Sequence, residues 1–198
     1  MGASERDEEA RAQWREQMSP VDVRRLVFVD ESGTHTALAR LFAWAPRGQR
    51  ARTQVPRNHG KNTTLVAALS WQGIRAPWTV EGAIDTPAFE VYVRDVLAPT
   101  LQPGQIVILD NLSVHQSAVI RQAIEDCGCQ LVFLPAYSPD LTPIEQAFSK
   151  LKAILRRLAA RTREVLLDAL ATALAAITPE DAYGWFRHAG YTSLAQAP

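Results

Sequence analysis

The sequence is poor in cysteine and has no long apolar run. Cys127 and Cys129 are the only two cysteines among 198 residues, and no His or Cys stands at zinc spacing from them, so we expect ordinary thiols rather than a metal or redox site. No stretch approaches the roughly 20 consecutive apolar residues that cross a bilayer, and the N-terminus is charged rather than signal-like. These absences indicate a cytoplasmic protein that does not enter a membrane.

Several catalytic motifs are also missing. The chain has no Gly-x-Ser-x-Gly, no Walker loop and no His-Glu-x-x-His, which argues against nucleophilic hydrolases, P-loop enzymes and zinc peptidases of those types. It has no internal repeat and no low-complexity segment. With 47% hydrophobic residues, it is suited to one globular domain with a substantial core.

Two short apolar runs each end in an aspartate. Leu26 to Val29 precede Asp30, and Ile106 to Leu109 precede Asp110. Runs of this kind are typical of strands buried on both faces, and ligands collect at the carboxyl ends of such strands. A third carboxylate, Glu145, lies in the first turn of a helix announced by Thr142 and Pro143. Because magnesium prefers carboxylate oxygens, we infer a divalent-metal phosphodiesterase site made of Asp30, Asp110 and Glu145.

Each of these carboxylates also has a local explanation. Asp30 and the Asp110-Asn111 pair could form turns at strand ends. Thr142 to Glu145 has the pattern of a capping box, in which the glutamate reaches back to the N-cap amide. It is the joint occurrence of all three that favours the metal site.

The motifs around these residues resemble a known family. They are Phe28-Val29-Asp30-Glu31-Ser32, Leu109-Asp110-Asn111 followed by His115, and the string from Leu134 to Glu145 that contains Tyr-Ser-Pro-Asp-Leu-Thr-Pro-Ile-Glu. Together they are similar to the DDE transposases of the mariner superfamily, and closest to the bacterial insertion-sequence "six-thirty" branch. The 34 residues between Asp110 and Glu145 match the interval of that group. The resemblance runs from about Val23 to Tyr191.

The resemblance implies a fold, a chemistry and partners. It implies an α/β ribonuclease-H-like fold with a mixed five-stranded sheet flanked by helices, and the predicted element order agrees with it. It implies two Mg²⁺ or Mn²⁺ ions bridged by Asp30 and flanked by Asp110 and Glu145. The expected partners are double-stranded DNA, with terminal inverted repeats and a TA target, and a second copy of the chain in a homodimer.

Four neighbours match family positions beside the site: Glu31, Asn111, His115 and Asp140. Strand alternation should point the Glu31 side chain to the face opposite Asp30. His115 could orient a phosphate or a water, or it could be a capping or packing histidine. Asp140 is expected to shape the loop that delivers Glu145, together with Tyr137 and the prolines of that loop.

The formal net charge is zero, which is unexpected for a DNA-binding protein, but the charge is unevenly spread. Two basic clusters contain no acidic residue, and each could be either a solvated face or a DNA contact. The first holds Arg47, Arg50, Arg52, Arg57 and Lys61, and the second holds Lys150, Lys152, Arg156, Arg157, Arg161 and Arg163. Because a DNA-cutting site needs basic surfaces beside its carboxylates, we expect these clusters to contact DNA.

Two segments are predicted. Residues 1–22 form a charged segment with a short linker helix, on which Ala10, Trp14 and Met18 make an apolar stripe, and residues 23–198 form the catalytic domain. Inside that domain, Ala39 to Trp44 is expected to be the hairpin partner of the first strand. Thr86 is expected to cap one continuous helix.

The resemblance has one departure and leaves rival functions. Full-length family members usually carry helix-turn-helix modules ahead of the catalytic domain, and nothing before Val23 is long enough for one. End recognition is therefore expected from a separate helix-turn-helix polypeptide, from an alternative reading frame joined by frameshifting, or not at all. A truncated fragment acting as a DNA-binding regulator or inhibitor is one alternative. A ribonuclease H or junction resolvase is another, with Glu81 or Asp85 as the fourth carboxylate.

Overall fold

A mixed sheet with helices on both faces forms the centre of the protein. The computed structural model describes residues 6–52 and 54–192. The strands are β1 (Leu26–Thr34), β2 (Thr63–Ser70), β3 (Gly73–Glu81), β4 (Ile106–Leu109) and β5 (Gln130–Phe133). The helices are α1 (Glu8–Met18), α2 (Thr86–Val91), α3 (Ala118–Glu125), α4 (Ile144–Leu158), α5 (Arg163–Ala175) and α6 (Pro179–His188). Residues 1–5 and 193–198, the outer ends of the two predicted segments, lie outside the described residues.

The strand order is β3-β2-β1-β4-β5. β1 pairs with β2, and β2 with β3, in antiparallel fashion. β1 pairs with β4, and β4 with β5, in parallel. Parallel neighbours need a crossover, and α3 supplies the one between β4 and β5. The prediction of a mixed five-stranded sheet is confirmed.

The predicted strand from Ala39 to Trp44 is wrong. This segment belongs to an irregular connection between β1 and β2, where Leu41, Phe42 and Trp44 are 70%, 89% and 102% exposed. The position beside β1 is occupied by β2, all eight residues of which are buried. A strand at that position must bury both faces, which the continuous apolar run of β2 can do. The strands that precede α2 are therefore β1, β2 and β3.

The alternation of side chains along the strands separates two apolar layers. Phe28 and Ile108 point to the layer that contains α4, α5 and α6, while Val29 and Leu109 point to the layer that contains α2 and α3. Trp14 and Met18 of α1 belong to the first layer. The N-terminal helix therefore packs on the same core as the sheet.

The helix after β3 differs from expectation. Its N-cap is Asp85, whose side chain accepts a hydrogen bond from Ala88 N, rather than Thr86. After Val91 the backbone continues as a π-helical turn, Tyr92–Leu97, and then a 3₁₀ turn, Ala98–Thr100. No helix in the described ranges is long and apolar enough to cross a membrane.

Candidate active site

Asp30 and Asp110 are placed side by side by the sheet. Phe28 of β1 is level with Ile108 of the adjacent parallel strand β4, and each aspartate stands two residues further along its chain. Two residues is one full strand period, so both aspartates leave the sheet on the face of Phe28 and Ile108, between strands about 4.8 Å apart. Asp30 still belongs to β1, whereas Asp110 is the first residue after β4.

Glu145 comes from the helix side. It is the second residue of α4, whose N-cap is Pro143 with no side-chain capping hydrogen bond. The capping box, which was the local alternative for Thr142 and Glu145, is therefore absent, and the Glu145 carboxylate is not used to close the helix end. The loop before α4 turns sharply at Tyr137, which has a φ of 53°.

The three carboxylates line one cavity of about 420 Å³. Its other walls come from the end of β4 and from the loop before α4, and include Asn111, Leu112, Pro135, Tyr137, Ser138 and Pro139. No Lys or Arg is among the described residues that line it. The cavity is thus a concave, acidic site with an aromatic wall.

Burial and neighbouring negative charges shift the pKa of Asp30 in the site. Burial raises the pKa of Asp30 to about 8, and the neighbouring charges of Glu31, Glu145 and Asp110 act in the same direction. The carboxylates therefore lie close enough to repel one another. A bound cation would relieve that repulsion and restore the charged form of Asp30.

His115 bridges two acidic residues beneath the cavity. Its Nδ1 lies 2.6 Å from Oδ1 of Asp110, and its Nε2 lies 2.9 Å from Oε1 of Glu31. Burial alone would lower the pKa of His115, but the hydrogen bonds to Asp110 and Glu31 raise it to about 9, so both ring nitrogens donate at neutral pH. The ring is fully buried beside Phe89, and both of its nitrogens are engaged by Asp110 and Glu31, so His115 holds carboxylates and does not face the cavity as a phosphate ligand.

The other predicted neighbours differ in their positions. Asn111 lines the cavity, and its Oδ1 accepts a hydrogen bond from Gln116. Asp140 does not line it: its carboxylate receives two hydrogen bonds from Arg11 on α1. Sequence reasoning did not single out Arg11, although it follows Ala10 and lies one turn before Trp14, at the edge of the apolar stripe.

The donor set fits a hard divalent cation shared with substrate. No three His, Cys, Asp or Glu side chains of the described residues are arranged to enclose one metal ion by themselves. Magnesium is usually held by one or two carboxylates with water and substrate phosphate, so a closed protein cage is not required. Asp30, Asp110 and Glu145 offer carboxylate oxygens to one cavity, without a competing Lys or Arg on its lining.

The two basic clusters converge on a groove of about 700 Å³ at the far end of α4. Its charged lining consists of Arg40, Arg50, Arg52, Arg156, Arg157 and Arg161. Arg161 also holds the β1–β2 connection by donating to the carbonyls of Thr36 and Leu38, at 2.9 and 2.8 Å. The structure thus brings together residues about 100 positions apart into one surface, which we call the arginine groove and whose charged lining residues are all arginines.

Other predicted DNA contacts lie outside the arginine groove. Lys61 pairs with Glu81 at 3.2 Å, and Lys150 pairs with Asp181. Arg47, Arg57 and Lys152 do not line the groove. The fourth-carboxylate candidates are also engaged elsewhere: Glu81 pairs with Arg163 as well as Lys61, and Asp85 caps α2.

A mixed sheet that carries three carboxylates into one cavity defines an enzyme domain of the ribonuclease-H-like nuclease class. The family model for the DDE superfamily endonucleases matches residues 25–166. The chain therefore belongs to the DDE superfamily endonucleases. No curated protein sequence matches the chain.

Solved structures of the Mos1 mariner transposase have the same fold. The paired end complex with Mn is 20% identical with a TM-score of 0.71, covering 92% of this chain and 58% of that one. The strand transfer complex is 21% identical with a TM-score of 0.69, at 92% and 57% coverage. The isolated Mos1 catalytic domain is 16% identical with a TM-score of 0.58, at 90% and 81% coverage. The ribonuclease-H-like fold is confirmed, and the chain spans little more than half of the longer Mos1 chains.

Proposed function

We propose that this chain is the catalytic domain of a DNA transposase of the mariner superfamily, in its bacterial "six-thirty" insertion-sequence branch. It would cut the ends of an insertion sequence and join the freed 3′-hydroxyls to target DNA. The observation that carries the proposal is the convergence of Asp30, Asp110 and Glu145 on one cavity, in a chain of the DDE superfamily endonucleases.

The three carboxylates have distinct parts in this chemistry. Asp30 would hold both of two Mg²⁺ or Mn²⁺ ions, and Asp110 and Glu145 would hold one each. When bound, such ions lower the pKa of the attacking water or 3′-hydroxyl and stabilise the leaving oxygen. His115 keeps Asp110 in place from the buried side. No covalent protein intermediate is needed, so one site can serve first strand cleavage and then strand joining.

Double-stranded DNA is the proposed partner. The arginine groove supplies the phosphate-binding surface, because unopposed arginines release counterions from a duplex. The Mos1 paired-end complex with left transposon end supports transposon-end DNA as the DNA bound. We propose that this DNA carries terminal inverted repeats and that the working form is a homodimer. We further propose insertion at TA, end recognition by a separate helix-turn-helix polypeptide, and action at the nucleoid in the bacterial cytoplasm.

A nicking assay tests the proposal. The purified chain would be incubated with Mg²⁺ or Mn²⁺ and a supercoiled plasmid carrying the inverted repeats that flank its gene, with an RNA–DNA hybrid and a four-way junction as alternative substrates. We expect cleavage of the plasmid to require the metal and to be lost in Asp110→Ala. Glu81→Gln, which changes a carboxylate outside the cavity, should cleave as the wild type does.

Other outcomes would identify the rival functions. Undiminished nicking by Asp110→Ala would refute the site assignment. Preferred cleavage of the hybrid or the junction would indicate a different ribonuclease-H-like nuclease. DNA binding without cleavage, combined with inhibition of an active transposase, would indicate a regulatory fragment.

A further inference from the structure

The 3₁₀ turn Pro139–Leu141 connects the cavity wall to the helix that carries Glu145. Its own hydrogen bonds are local: Leu141 N donates to Ser138 O at 3.0 Å, and Thr142 N donates to Pro139 O at 3.3 Å. Local bonds give the turn its shape, but they do not fix its position relative to the sheet. Contacts from distant parts of the chain fix the position of the turn relative to the sheet.

The first such contact is a buried arginine. The Arg11 side chain is fully buried, and its guanidinium donates to both oxygens of Asp140, at 3.0 and 2.6 Å. Arg6 and Arg15 lie 3.8 and 3.9 Å from the same carboxylate. A buried guanidinium is costly unless its geometry is good, and a two-pronged bond to a carboxylate is its most directional pairing. The hydrogen bond from Arg11 also lowers the pKa of Asp140, which keeps that carboxylate charged.

The second contact is a relay of hydrogen bonds. Trp14 Nε1 donates to the hydroxyl of Tyr191 at 2.9 Å, and that hydroxyl donates to the carbonyl oxygen of Leu141 at 2.6 Å. The Tyr191 ring packs on Phe28 of β1, with centroids 5.1 Å apart. The relay therefore ties the turn to α1 and to the strand that carries Asp30.

We propose that Arg11, Trp14 and Tyr191 form a clamp that positions the turn, and through it the Glu145 carboxylate, against the two aspartates. This inference rests on the proposed function of the cavity as a metal site. The sheet fixes the spacing of Asp30 and Asp110, whereas Glu145 depends on the path of the loop. Because metal ligands must be held within a fraction of an ångström, a clamp on that path sets the affinity of the whole site.

Matched pairs of variants test the clamp. Tyr191→Phe removes both bonds of the relay, and Tyr183→Phe is its control, because Tyr183 is 40% exposed on α6. Arg11→Met removes the two-pronged bond, and Arg94→Met is its control, because that side chain is 60% exposed and pairs with Asp95 rather than Asp140. The readouts are amide hydrogen exchange over residues 136–146 and the affinity for Mn²⁺, measured from the electron paramagnetic resonance signal of the free ion.

We expect faster exchange over residues 136–146 and Mn²⁺ affinity weakened by about tenfold in Tyr191→Phe and Arg11→Met, with both controls near wild type. A merely structural role would lower the melting temperature without changing the affinity of the folded fraction. A lower melting temperature with unchanged Mn²⁺ affinity in Tyr191→Phe, which preserves the ring, would overturn the inference even if Arg11→Met failed to fold.

The outcomes also separate this inference from the proposed function. If the wild type binds Mn²⁺ and nicks DNA, and Tyr191→Phe has the same Mn²⁺ affinity and hydrogen exchange as the wild type, the proposed function is retained and the clamp is refuted. If the wild type neither bound Mn²⁺ nor cut DNA, the proposed function would be refuted. The clamp would then be judged from hydrogen exchange alone, and unchanged exchange over residues 136–146 in Tyr191→Phe would overturn it.

Discussion

His115 fixes one particular oxygen of Asp110: its Nδ1 lies 2.6 Å from Oδ1, and Leu112 N donates to the same oxygen at 3.2 Å. If Asp110 holds a metal ion as proposed, Oδ2 is the oxygen that His115 and the Leu112 amide leave available for it. The arrangement resembles the general habit of metal sites, in which ligating carboxylates are themselves hydrogen-bonded.

Loss of that hydrogen bond should weaken catalysis while the protein stays folded. We expect His115→Ala to lower metal-dependent nicking by about 10-fold to 100-fold, the usual cost of removing a group that orients a metal ligand. His59→Ala is the control, since His59 is exposed and its ring stacks on His35 in the β1–β2 connection, away from the cavity. The nicking rates would be compared at equal concentrations of folded protein, determined by circular dichroism. A wild-type rate in His115→Ala would contradict the role of His115 in orienting Asp110.

The buried sheet and the exposed β1–β2 connection predict a contrast in stability. Ile108 is fully buried, so Ile108→Ala should lower the free energy of unfolding by about 2 to 5 kcal/mol. Leu41→Ala, in the segment wrongly predicted as a strand, should change it by less than about 0.5 kcal/mol because that side chain is exposed. Urea unfolding of the three proteins checks both values. A large loss for Leu41→Ala would mean that the segment is packed in solution.

The Arg11–Asp140 pair predicts an acid-sensitive contribution to stability. Since the bond from Arg11 lowers the pKa of Asp140 in the folded state, its stabilisation is complete above the unfolded pKa near 3.9 and is lost as pH falls through the lower folded value. Allowing for the half-exposed Asp140 side chain, Asp140→Asn should cost about 1 to 2 kcal/mol at pH 7.

Urea unfolding at pH 7 and near pH 2.5 measures that difference. The difference in free energy of unfolding between the wild type and Asp140→Asn should be smaller at the lower pH. A gap of equal size at both values would show that the charge of Asp140 does not stabilise the fold.

The arginine groove predicts how DNA binding depends on salt. If Arg156 and Arg157 each neutralise a phosphate, replacing both by Ala should reduce the slope of log K against log salt concentration by about 2. Lys150→Ala should leave the slope unchanged, because Lys150 is paired with Asp181. Fluorescence anisotropy with a labelled duplex between low and physiological salt gives the slopes. Equal slopes for the double variant and the wild type would exclude the groove as the binding surface.

The central strands and the three carboxylates could be predicted because their signals are local. The runs before Asp30 and Asp110 are continuous and apolar, and in the structure they are adjacent buried strands. The Ala39–Trp44 segment has a similar local composition, but the position beside β1 went to β2, a choice made by burial across the whole sheet. A local pattern cannot decide between two segments that compete for one place.

The contacts around the site could not be predicted, since they join distant positions. Arg11 and Asp140 are 129 residues apart, and His115 reaches Glu31 across 84 residues. Strand alternation can place Glu31 on one face, but it cannot supply the histidine that meets it there. The capping motif at Thr142 failed for a related reason, because the path of the loop puts Pro143 at the N-cap.

Helix α4 has the acidic cavity at its first turn and the arginine groove at its last. Fifteen helical residues at 1.5 Å each span about 22 Å, which equals between about six and seven base pairs of a duplex at 3.4 Å. The length of α4 therefore fixes the distance between the two sites. A duplex lying along the helix would contact the arginine groove about half a turn away from the phosphate that is cleaved in the acidic cavity. The length of α4, rather than any base contact, would then set the offset between the anchored and the cleaved positions.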